Sequence, residues 1–306
     1  MQLSHTVGRG GFELKISPRR LIVCADDFGR DVAINEAVET ACRDGVLSCA
    51  SLMVAAPAAA DAVARAIRLR GLRRLDGLRV GLHLVLIGGS PVLPAAELGS
   101  LVRRDGRFDG NPVRAGLRYF LAPGMRGRLA AEIRAQFEAF RATGLALDHV
   151  NAHQHMHLHP TIARLLVEIG SDYGMRAVRL PAEPVAALRL AFPGERYKAP
   201  LYRPAIAGLR RRLGRAGLAM NDHVFGIAWS GAMTEHRVLA LLPHLPPGVS
   251  EIYFHPATET NAALAEGMPS YRHAEELAAL VSPAVRRRIA ELGISLIGYG
   301  DLAPAG

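Results

Sequence analysis

The apolar positions of this chain alternate between short, nearly continuous runs and longer stretches with helical spacing. The short runs predict buried strands at residues 20–25, 48–56, 78–86, 147–153, 177–182, 223–229, 249–257 and 294–300. Between them, spacing near 3.6 residues predicts helices at about 32–44, 58–70, 127–142, 160–171, 202–220, 234–243 and 273–292. Helix 127–142, for example, places Leu129, Ile133, Phe137 and Phe140 on one apolar stripe.

Strands that alternate with helices favour parallel pairing through right-handed crossovers. No Gly-x-Gly-x-x-Gly pattern follows the first strand, which disfavours a dinucleotide-binding fold. We therefore expect an α/β fold, an irregular (β/α) barrel of TIM-barrel-like type. Residues 1–18 are interpreted as a flexible N-terminal leader and residues 19–302 as a single barrel domain. The Gly-, Pro- and Arg-rich insertion at about 87–124 is too long for an ordinary loop and predicts a lid or a partner surface.

Composition narrows the class of protein. Half of the 306 residues are apolar and 21% are charged, which suits a large core. The chain lacks a run of roughly 18 uncharged apolar residues, and its first residues lack the apolar centre of a secretory signal. Cys24, Cys42 and Cys49 show no metal-type spacing and are interpreted as small buried side chains in a reducing compartment. A cytoplasmic location is the expectation.

The net charge of +9 is carried mostly by arginine. This charge is consistent with a surface that binds nucleic acid, with a surface that binds anionic lipid, or simply with an Ala/Arg-rich composition. Few aromatic residues lie among the arginines to stack on bases, so we expect no nucleic-acid partner. The basic segment 202–220 has Ile206, Leu209, Leu213 and Leu218 on one side, and it is either a membrane-surface helix or an ordinary surface helix.

Polar side chains recur where the predicted strands end. In barrels the carboxyl ends of the strands carry the active site, so these side chains are expected to converge at one mouth. Each also has an ordinary interpretation. The aspartates could cap a helix, and His83 could be a core histidine. The histidines from residue 153 onward could form an exposed polar loop, Arg179 could pair with Glu183 or the sheet edge, and His255 could belong to a strand-end turn. The strand-end residues are Asp26, Asp27, His83, Asn151, His153, Arg179 and His255.

The segment HVNAHQHMHLHP, residues 149–160, is the densest cluster of histidines. In a continuing strand, Asn151, His153 and His155 share the face that looks into the barrel mouth. Alternatively, His153 and His157 are ligands spaced i, i+4 on a helix. The zinc-peptidase form of that pattern needs a glutamate where this chain has Gln154, and it is excluded. Two imidazoles with a carboxylate predict one divalent metal ion: zinc by preference, with cobalt, nickel and magnesium open.

Four of these segments together resemble the YdjC-like (ChbG-like) carbohydrate deacetylase family. They are ADDFG after the first strand, GLHLVL on the third, DHVNAHQHMHLHP on the fourth and FHPA late in the chain. The resemblance covers roughly residues 19–300. FGIAWSGAMTEHR and LPPGVSEIYFHPA resemble one branch, the hopanoid-biosynthesis-associated deacetylases.

The resemblance implies specific roles for residues of this chain. The metal would be held by Asp27, His83 and His153, and Asp26 would be the general base. The late histidine, His255, would orient the base or protonate the leaving amine, a role for which His155 is the alternative. Arg179 would lie beside the catalytic aspartate. Asn151 and Gln154 stand where some relatives carry aspartate and histidine, so what those positions do in relatives does not transfer directly. The candidates for substrate binding are Arg179, His155 and Asn151.

The resemblance to this branch implies removal of the acetyl group from an N-acetylglucosamine that is carried on a hopanoid lipid. A glycolipid substrate of this kind would bring the enzyme to the anionic inner face of the cytoplasmic membrane. A homodimer is expected from the family. Three alternatives stay open: a deacetylase of soluble chito-oligosaccharides, a metal-dependent phosphoesterase, and a barrel-shaped binding protein without activity.

Overall fold

A curled, fully parallel β-sheet forms the centre of the computed structural model, which describes residues 18–71, 77–197 and 201–302. The strand order is β4-β3-β2-β1-β6-β5, and β7 pairs with the first residues of β1. The predicted α/β fold of TIM-barrel-like type is confirmed, with a sheet curled into a half-barrel. The strands are β1 (Arg19–Phe28), β2 (Cys49–Leu52), β3 (Arg79–Leu84), β4 (Leu147–Ala152), β5 (His223–Phe225), β6 (Gly248–Phe254) and β7 (Ser295–Ile297).

Helices cover the outer face of the sheet. The predicted stripe of helix α5 is correct, since all four of its apolar residues are buried. No helix within the described ranges is both long and apolar enough to cross a bilayer. The α-helices are α1 (Val32–Asp44), α2 (Ala59–Arg68), α3 (Ala95–Leu98), α4 (Pro112–Leu121), α5 (Met125–Ala142), α6 (Pro160–Gly170), α7 (Val185–Ala191), α8 (Arg203–Arg215), α9 (Glu235–Leu241), α10 (Ala262–Gly267), α11 (His273–Val281) and α12 (Pro283–Glu291).

The prediction of a strand at residues 177–182 is wrong. The segment makes only isolated bridges, Val178 to Val150 of β4 and Ala177 to Ala219. Pro181 has no N–H to donate, which limits how far a ladder can extend here. The segment still spans the opening between the edge strands β4 and β5, because Val224 donates its N–H to the Ala182 carbonyl.

The predicted helix 273–292 is two helices. Ser282 has an extended backbone (φ −61°, ψ 123°), and its hydroxyl accepts from the amides of Ala284 and Val285. Pro283 then occupies the first turn of α12. A residue before proline avoids the helical region, so the break is a local sequence effect. The predicted basic helix ends at Arg215, before Gly217 takes a left-handed φ of +67°.

The insertion at 87–124 folds against α5. The Glu132 carboxylate accepts from the amides of Val92 and Leu93, and the Tyr119 hydroxyl donates to the Leu86 carbonyl. Helix α4 nevertheless leaves one apolar face in solvent. That face consists of Val113, Leu117, Phe120 and Leu121, which are 70%, 56%, 58% and 77% exposed. The domain boundaries stay a prediction, and residues 1–17 of the predicted leader lie outside the described residues.

Two separate apolar layers lie on the two faces of the sheet. Leu21, Val23 and Ala25 of β1 pack under the helices. Ile22 and Cys24 point the other way, into the hollow of the half-barrel. This two-residue alternation carries the next inward position, Asp26, to the upper end of the hollow, where the polar strand ends gather.

Candidate metal and catalytic site

Two adjacent aspartates at the end of β1 serve the same site because the backbone leaves the strand conformation between them. Asp27 has a left-handed φ of 61°, and the β1–β2 register shifts between Ala25 and Phe28. In a regular strand, neighbouring side chains point to opposite faces. The distortion instead leaves both carboxylates buried at the mouth of the hollow. Strain of this kind clusters at functional sites.

Asp27, His83 and His153 form a compact set of potential metal ligands. Asp27 Oδ1 lies 3.4 Å from His83 Nε2 and 3.0 Å from His153 Nδ1. The two ring nitrogens are 3.4 Å apart. Ligand atoms about 2.1 Å from one tetrahedral ion lie about 3.4 Å from each other, so the spacing fits a metal ion. Asp27 Oδ1 is also buried without a hydrogen-bond partner.

The ring orientation of His83 is fixed from behind. His83 Nδ1 lies 2.7 Å from the Asn151 side-chain oxygen and therefore donates to it. In the neutral ring, Nε2 is then the unprotonated nitrogen and is directed at the site, an arrangement that usually accompanies a metal-ligating histidine. The Asn151 amide nitrogen donates in turn to Asp26 and to Ser51, at 3.1 and 3.0 Å.

The electrostatics of the three ligands are mutually dependent. Burial raises the pKa of Asp27, but the neighbouring His153 and His83 outweigh it and bring the pKa well below its usual range. Burial lowers the pKa of His83, and the carboxylates of Asp26 and Asp27 outweigh this and raise it. The site therefore carries a permanent carboxylate that attracts either a proton on the imidazoles or a cation between them.

Asp26 is held by a buried arginine. Arg179 is fully buried and binds Asp26 in a two-pronged contact, at 2.5 and 2.9 Å. Its remaining donors reach Glu251, which also accepts from the Tyr299 hydroxyl at 2.6 Å. Burial raises the pKa of Asp26, but the charges of Arg179 and His83 and the hydrogen bonds from Arg179 together outweigh it and bring the pKa well below its usual range. The alternative pairing of Arg179 with Glu183 is wrong, since Glu183 accepts backbone amides of residues 226–228 instead.

His255 follows the end of β6 and faces Asp26 across the mouth. Its backbone is fixed by Glu276, which accepts its N–H at 2.5 Å, and by His273, which donates to its carbonyl at 2.6 Å. The ring packs on Tyr271, 5.0 Å between centroids, and its Nδ1 is buried without a partner. Burial lowers the pKa of His255 to about 4, against the nearby aspartates, so the ring is neutral at pH 7.

The strand prediction for His155 is wrong. Strand β4 ends at Ala152, and residues 153–158 form a tight 3-10 turn in which Gln154 and His155 have φ values of 49° and 55°. This turn places His153 at the ligand set and His155 against the Tyr253 hydroxyl, 3.4 Å away. The alternative i, i+4 ligand pair is also wrong, because His157 instead lies 3.0 Å from the Arg179 carbonyl.

A cavity of about 170 Å³ sits above these groups. It joins two wider clefts. His153 also lines a cleft of about 770 Å³ of mixed polar and apolar character, which includes Arg30, Arg103 and Arg107. Ile227 lines both the cavity and a mainly apolar groove of about 650 Å³, which also includes Leu188 and Leu201.

All eight residues predicted for the site therefore lie together. Two residues of the site, Glu251 and Ser51, were not predicted from the sequence; they support Arg179 and Asn151. Glu251 has one recognisable signal: it is a charged residue inside the apolar strand VSEIYF, on the same face as Tyr253 and His255. Ser51 has no such signal.

Comparisons with known proteins place the whole chain among related sequences and structures. The profile described as YdjC-like protein matches residues 20–291. A carbohydrate deacetylase of Geobacillus stearothermophilus is 31% identical over 93% of this chain and 98% of its own length. A carbohydrate deacetylase of Mus musculus is also 31% identical, over 92% of this chain and 94% of its own length. A crystal structure of an Enterococcus faecalis V583 protein, 22% identical, superposes on 94% of this chain with a TM-score of 0.72 and supports the fold.

Proposed function

We propose, because this chain belongs to the YdjC-like protein family, that it is a metal-dependent deacetylase of an N-acetylglucosamine carried on a hopanoid lipid. The products are a glucosaminyl hopanoid and acetate. The metal dependence in this proposal rests on one observation. Asp27, His83 and His153 have the spacing of metal ligands, and the neighbouring Asp26 is not among these three ligands.

The residues around the cavity have separable roles in amide hydrolysis. A bound divalent ion would polarise the acetyl carbonyl and acidify a water molecule. Asp26, kept ionised by Arg179, accepts the proton of the attacking water. The water oxygen bonds to the carbonyl carbon, the C–N bond breaks, and the amine nitrogen gains a proton. His255 lines the cavity, its Nδ1 has no partner among the described residues, and its ring is positioned to relay that proton.

A lipid-linked sugar is supported by the clefts beside the cavity. The mixed cleft, with its arginines, suits a sugar, and the apolar groove that meets the cavity at Ile227 suits a hydrocarbon skeleton. The exposed apolar face of α4 lies on a helix that also carries Arg114 and Arg118. Apolar side chains with arginines around them are typical of helices that lie on anionic membrane surfaces. We therefore include peripheral contact with the inner face of the cytoplasmic membrane in the proposal; the homodimer stays a prediction.

Acetate release tests the proposal. Purified protein supplied with Zn²⁺, Co²⁺, Ni²⁺ or Mg²⁺ is incubated separately with acetylglucosaminyl hopanoid in mixed micelles, with di-N-acetylchitobiose and with a phosphomonoester. We expect acetate from the hopanoid substrate. Faster release from the soluble disaccharide would assign the chito-oligosaccharide function, and phosphate release alone would assign a phosphoesterase.

Metal content tests the ligand set separately. His153→Ala should lose the metal ion of this site and its activity. The matched variant His159→Ala removes a nearby histidine that binds the Gly116 carbonyl and should keep both. Unchanged affinity for the added metal in His153→Ala would contradict the ligand set.

A further inference from the structure

A second group of metal-ligand side chains lies in the hollow of the half-barrel, below the catalytic cavity. Cys24 of β1 and Cys49 of β2 are register partners in the parallel sheet, so their side chains leave the sheet on the same face. Both are fully buried. His149 of β4 completes the group, and the two sulfurs and one imidazole nitrogen lie within 4.8 Å of one another. We call Cys24, Cys49 and His149 the interior cluster.

The sheet makes room for the ring of His149. Gly81 of β3 lies beside it, and a Cβ atom at residue 81 would be 2.5 Å from the ring. The opposite face of the ring stacks on Tyr299, with 4.6 Å between centroids. The imidazole is therefore clamped in one place, and a fixed ring is a requirement of a preformed ligand site.

The orientation of His149 directs one nitrogen at the sulfurs. Nδ1 lies 3.0 Å from the Asp148 carboxylate, which also accepts the amide of Gly300. Nε2 lies 3.9 Å from Cys24 Sγ and 3.0 Å from Ser51 Oγ. A carboxylate behind a histidine is the usual outer partner of a metal-bound imidazole. A sulfur and a nitrogen on one tetrahedral ion lie about 3.6 Å apart, close to the distance found here.

The chemistry of the cluster also suits a cation. A divalent ion displaces the protons of both thiols, and the two thiolates then neutralise its charge.

We propose that Cys24, Cys49 and His149 form a second, interior binding site for a thiophilic divalent cation of the zinc class, with Ser51 Oγ as its nearest oxygen. Two sulfurs and one imidazole select zinc over magnesium or calcium, which prefer oxygen. The proposal does not depend on the reaction that the upper site performs.

The interior site has a structural consequence for the catalytic cavity. Ser51 contacts both Cys24 and His149 and accepts from Asn151, the residue that orients His83. One ion would join β1, β2 and β4, the strands that place Asp26, Ser51 and Asn151. Because the cluster is fully buried, the ion enters as the chain folds and resists later removal by chelators.

Cobalt substitution tests the site without relying on activity. The protein is produced in cells grown with Co²⁺ and dialysed exhaustively against a chelator. A cobalt ion bound by thiolate gives a charge-transfer band in the near ultraviolet, whereas the oxygen and nitrogen ligands of the upper site do not. We expect the band to persist after dialysis, with one cobalt ion retained per chain.

Three variants locate the band. Cys42→Ser removes a buried thiol on α1 outside the cluster and should keep it, which assigns the band to Cys24 and Cys49 because the chain has three cysteines. His153→Ala should also keep it while losing the upper site. The double variant Cys24→Ser/Cys49→Ser should lose it, and the Cys42→Ser result stands even if that double variant does not fold.

The proposal is overturned if the wild-type cobalt protein shows no band, or if Cys42→Ser abolishes it. It is equally overturned if thiol titration of the denatured wild-type protein finds one free thiol, because Cys24 and Cys49 would then be joined as a disulfide. None of these outcomes bears on the deacetylase proposal, which the His153→Ala variant tests independently.

Discussion

At the residue scale, the site depends on side chains whose orientation is set by other buried polar groups. Asn151 both accepts from His83 and donates to Asp26, so it ties the ligand set to the proposed base. Arg179 has carboxylates on both sides and an aromatic ring below it, Tyr253, 4.9 Å away. Each of these contacts is buried, so removing one partner leaves another unsatisfied.

Asn151→Ala should weaken metal binding at the upper site by about 10–100-fold, because His83 loses the acceptor that fixes its ring. Isothermal titration of the chelated protein with Zn²⁺ measures this. Gln154→Ala, which removes an exposed amide from the same segment, is the control and should bind as the wild type does. Equal affinity in both variants would contradict the orienting role.

Arg179→Met should lower the free energy of unfolding by about 3–5 kcal/mol, because it leaves the buried carboxylates of Asp26 and Glu251 without a counter-charge. Urea unfolding at pH 7 measures the change. Adding Glu251→Gln should recover part of the loss, since one of the stranded charges is removed. If the double variant is no more stable than Arg179→Met, uncompensated charge is not the cause.

At the element scale, the strands are placed by small residues and by carboxylates on neighbouring helices. Gly81 lets β3 approach His149 of β4. Glu276 of α11 accepts backbone amides of His255 and Met233, so one side chain joins the end of β6 to the segment before α9. These contacts determine where the polar strand ends lie relative to one another.

Gly81→Ala should lower the free energy of unfolding by about 1–3 kcal/mol, because the added methyl group would lie 2.5 Å from the clamped His149 ring. Gly110→Ala is the matched control, since a Cβ there meets no atom within 4 Å. Chemical unfolding of both variants checks this. Equal stability would mean that His149 can move aside.

The contribution of Glu276 to the free energy of unfolding should fall as pH rises from about 4.5 to about 7. Burial raises the pKa of Glu276 from 4.5 to about 7 in the folded protein, despite its amide donors. The folded state therefore binds this proton more tightly than the unfolded state. The stabilisation is complete below pH 4.5 and is lost as pH passes through 7, by up to about 3 kcal/mol.

Urea midpoints measured across this pH range test the effect. Glu276→Gln has no titrating proton at this position, so the stability of the wild type relative to this variant should fall across the range. Glu183 contributes in the same direction, because burial also raises its pKa to about 7, so some slope should remain in the variant. A slope in Glu276→Gln identical to the wild type would exclude Glu276 as a source.

At the scale of the whole molecule, the basic charge and the exposed apolar face of α4 lie on the surface, while the catalytic site lies in the hollow of the half-barrel.

Leu117→Asp and Phe120→Asp should each weaken binding to anionic vesicles by about ten-fold or more, since each removes an apolar side chain that could be buried in the membrane. Co-sedimentation at two salt concentrations measures binding. Ile67→Asp, an exposed apolar residue of α2, is the control.

Release of acetate from a soluble substrate should be unchanged in the α4 variants, because α4 supplies no side chain to the small cavity. Vesicle binding that does not respond to lipid charge, to salt or to the α4 substitutions would contradict the membrane contact and leave the catalytic assignment intact.

The sequence by itself determined the alternation of strands and helices, the apolar stripe of α5 and the set of strand-end residues from Asp26 to His255. These features depend on short-range periodicity, which can be read directly from one amino-acid sequence. It also carried the motifs on which the resemblance rests, since they are contiguous in the chain.

Only the tertiary structure decided which polar groups meet. The left-handed backbone at Asp27 and at residues 154–155 cannot be recognised from aspartate, glutamine and histidine, because the surrounding fold imposes it. Besides Asp26, Arg179 binds Glu251, which is 72 positions away. Cys24, Cys49 and His149 come together although they lie on three different strands. Cysteines without metal-type spacing in the sequence become a ligand group because parallel pairing brings distant residues into register, and that register is a property of the sheet.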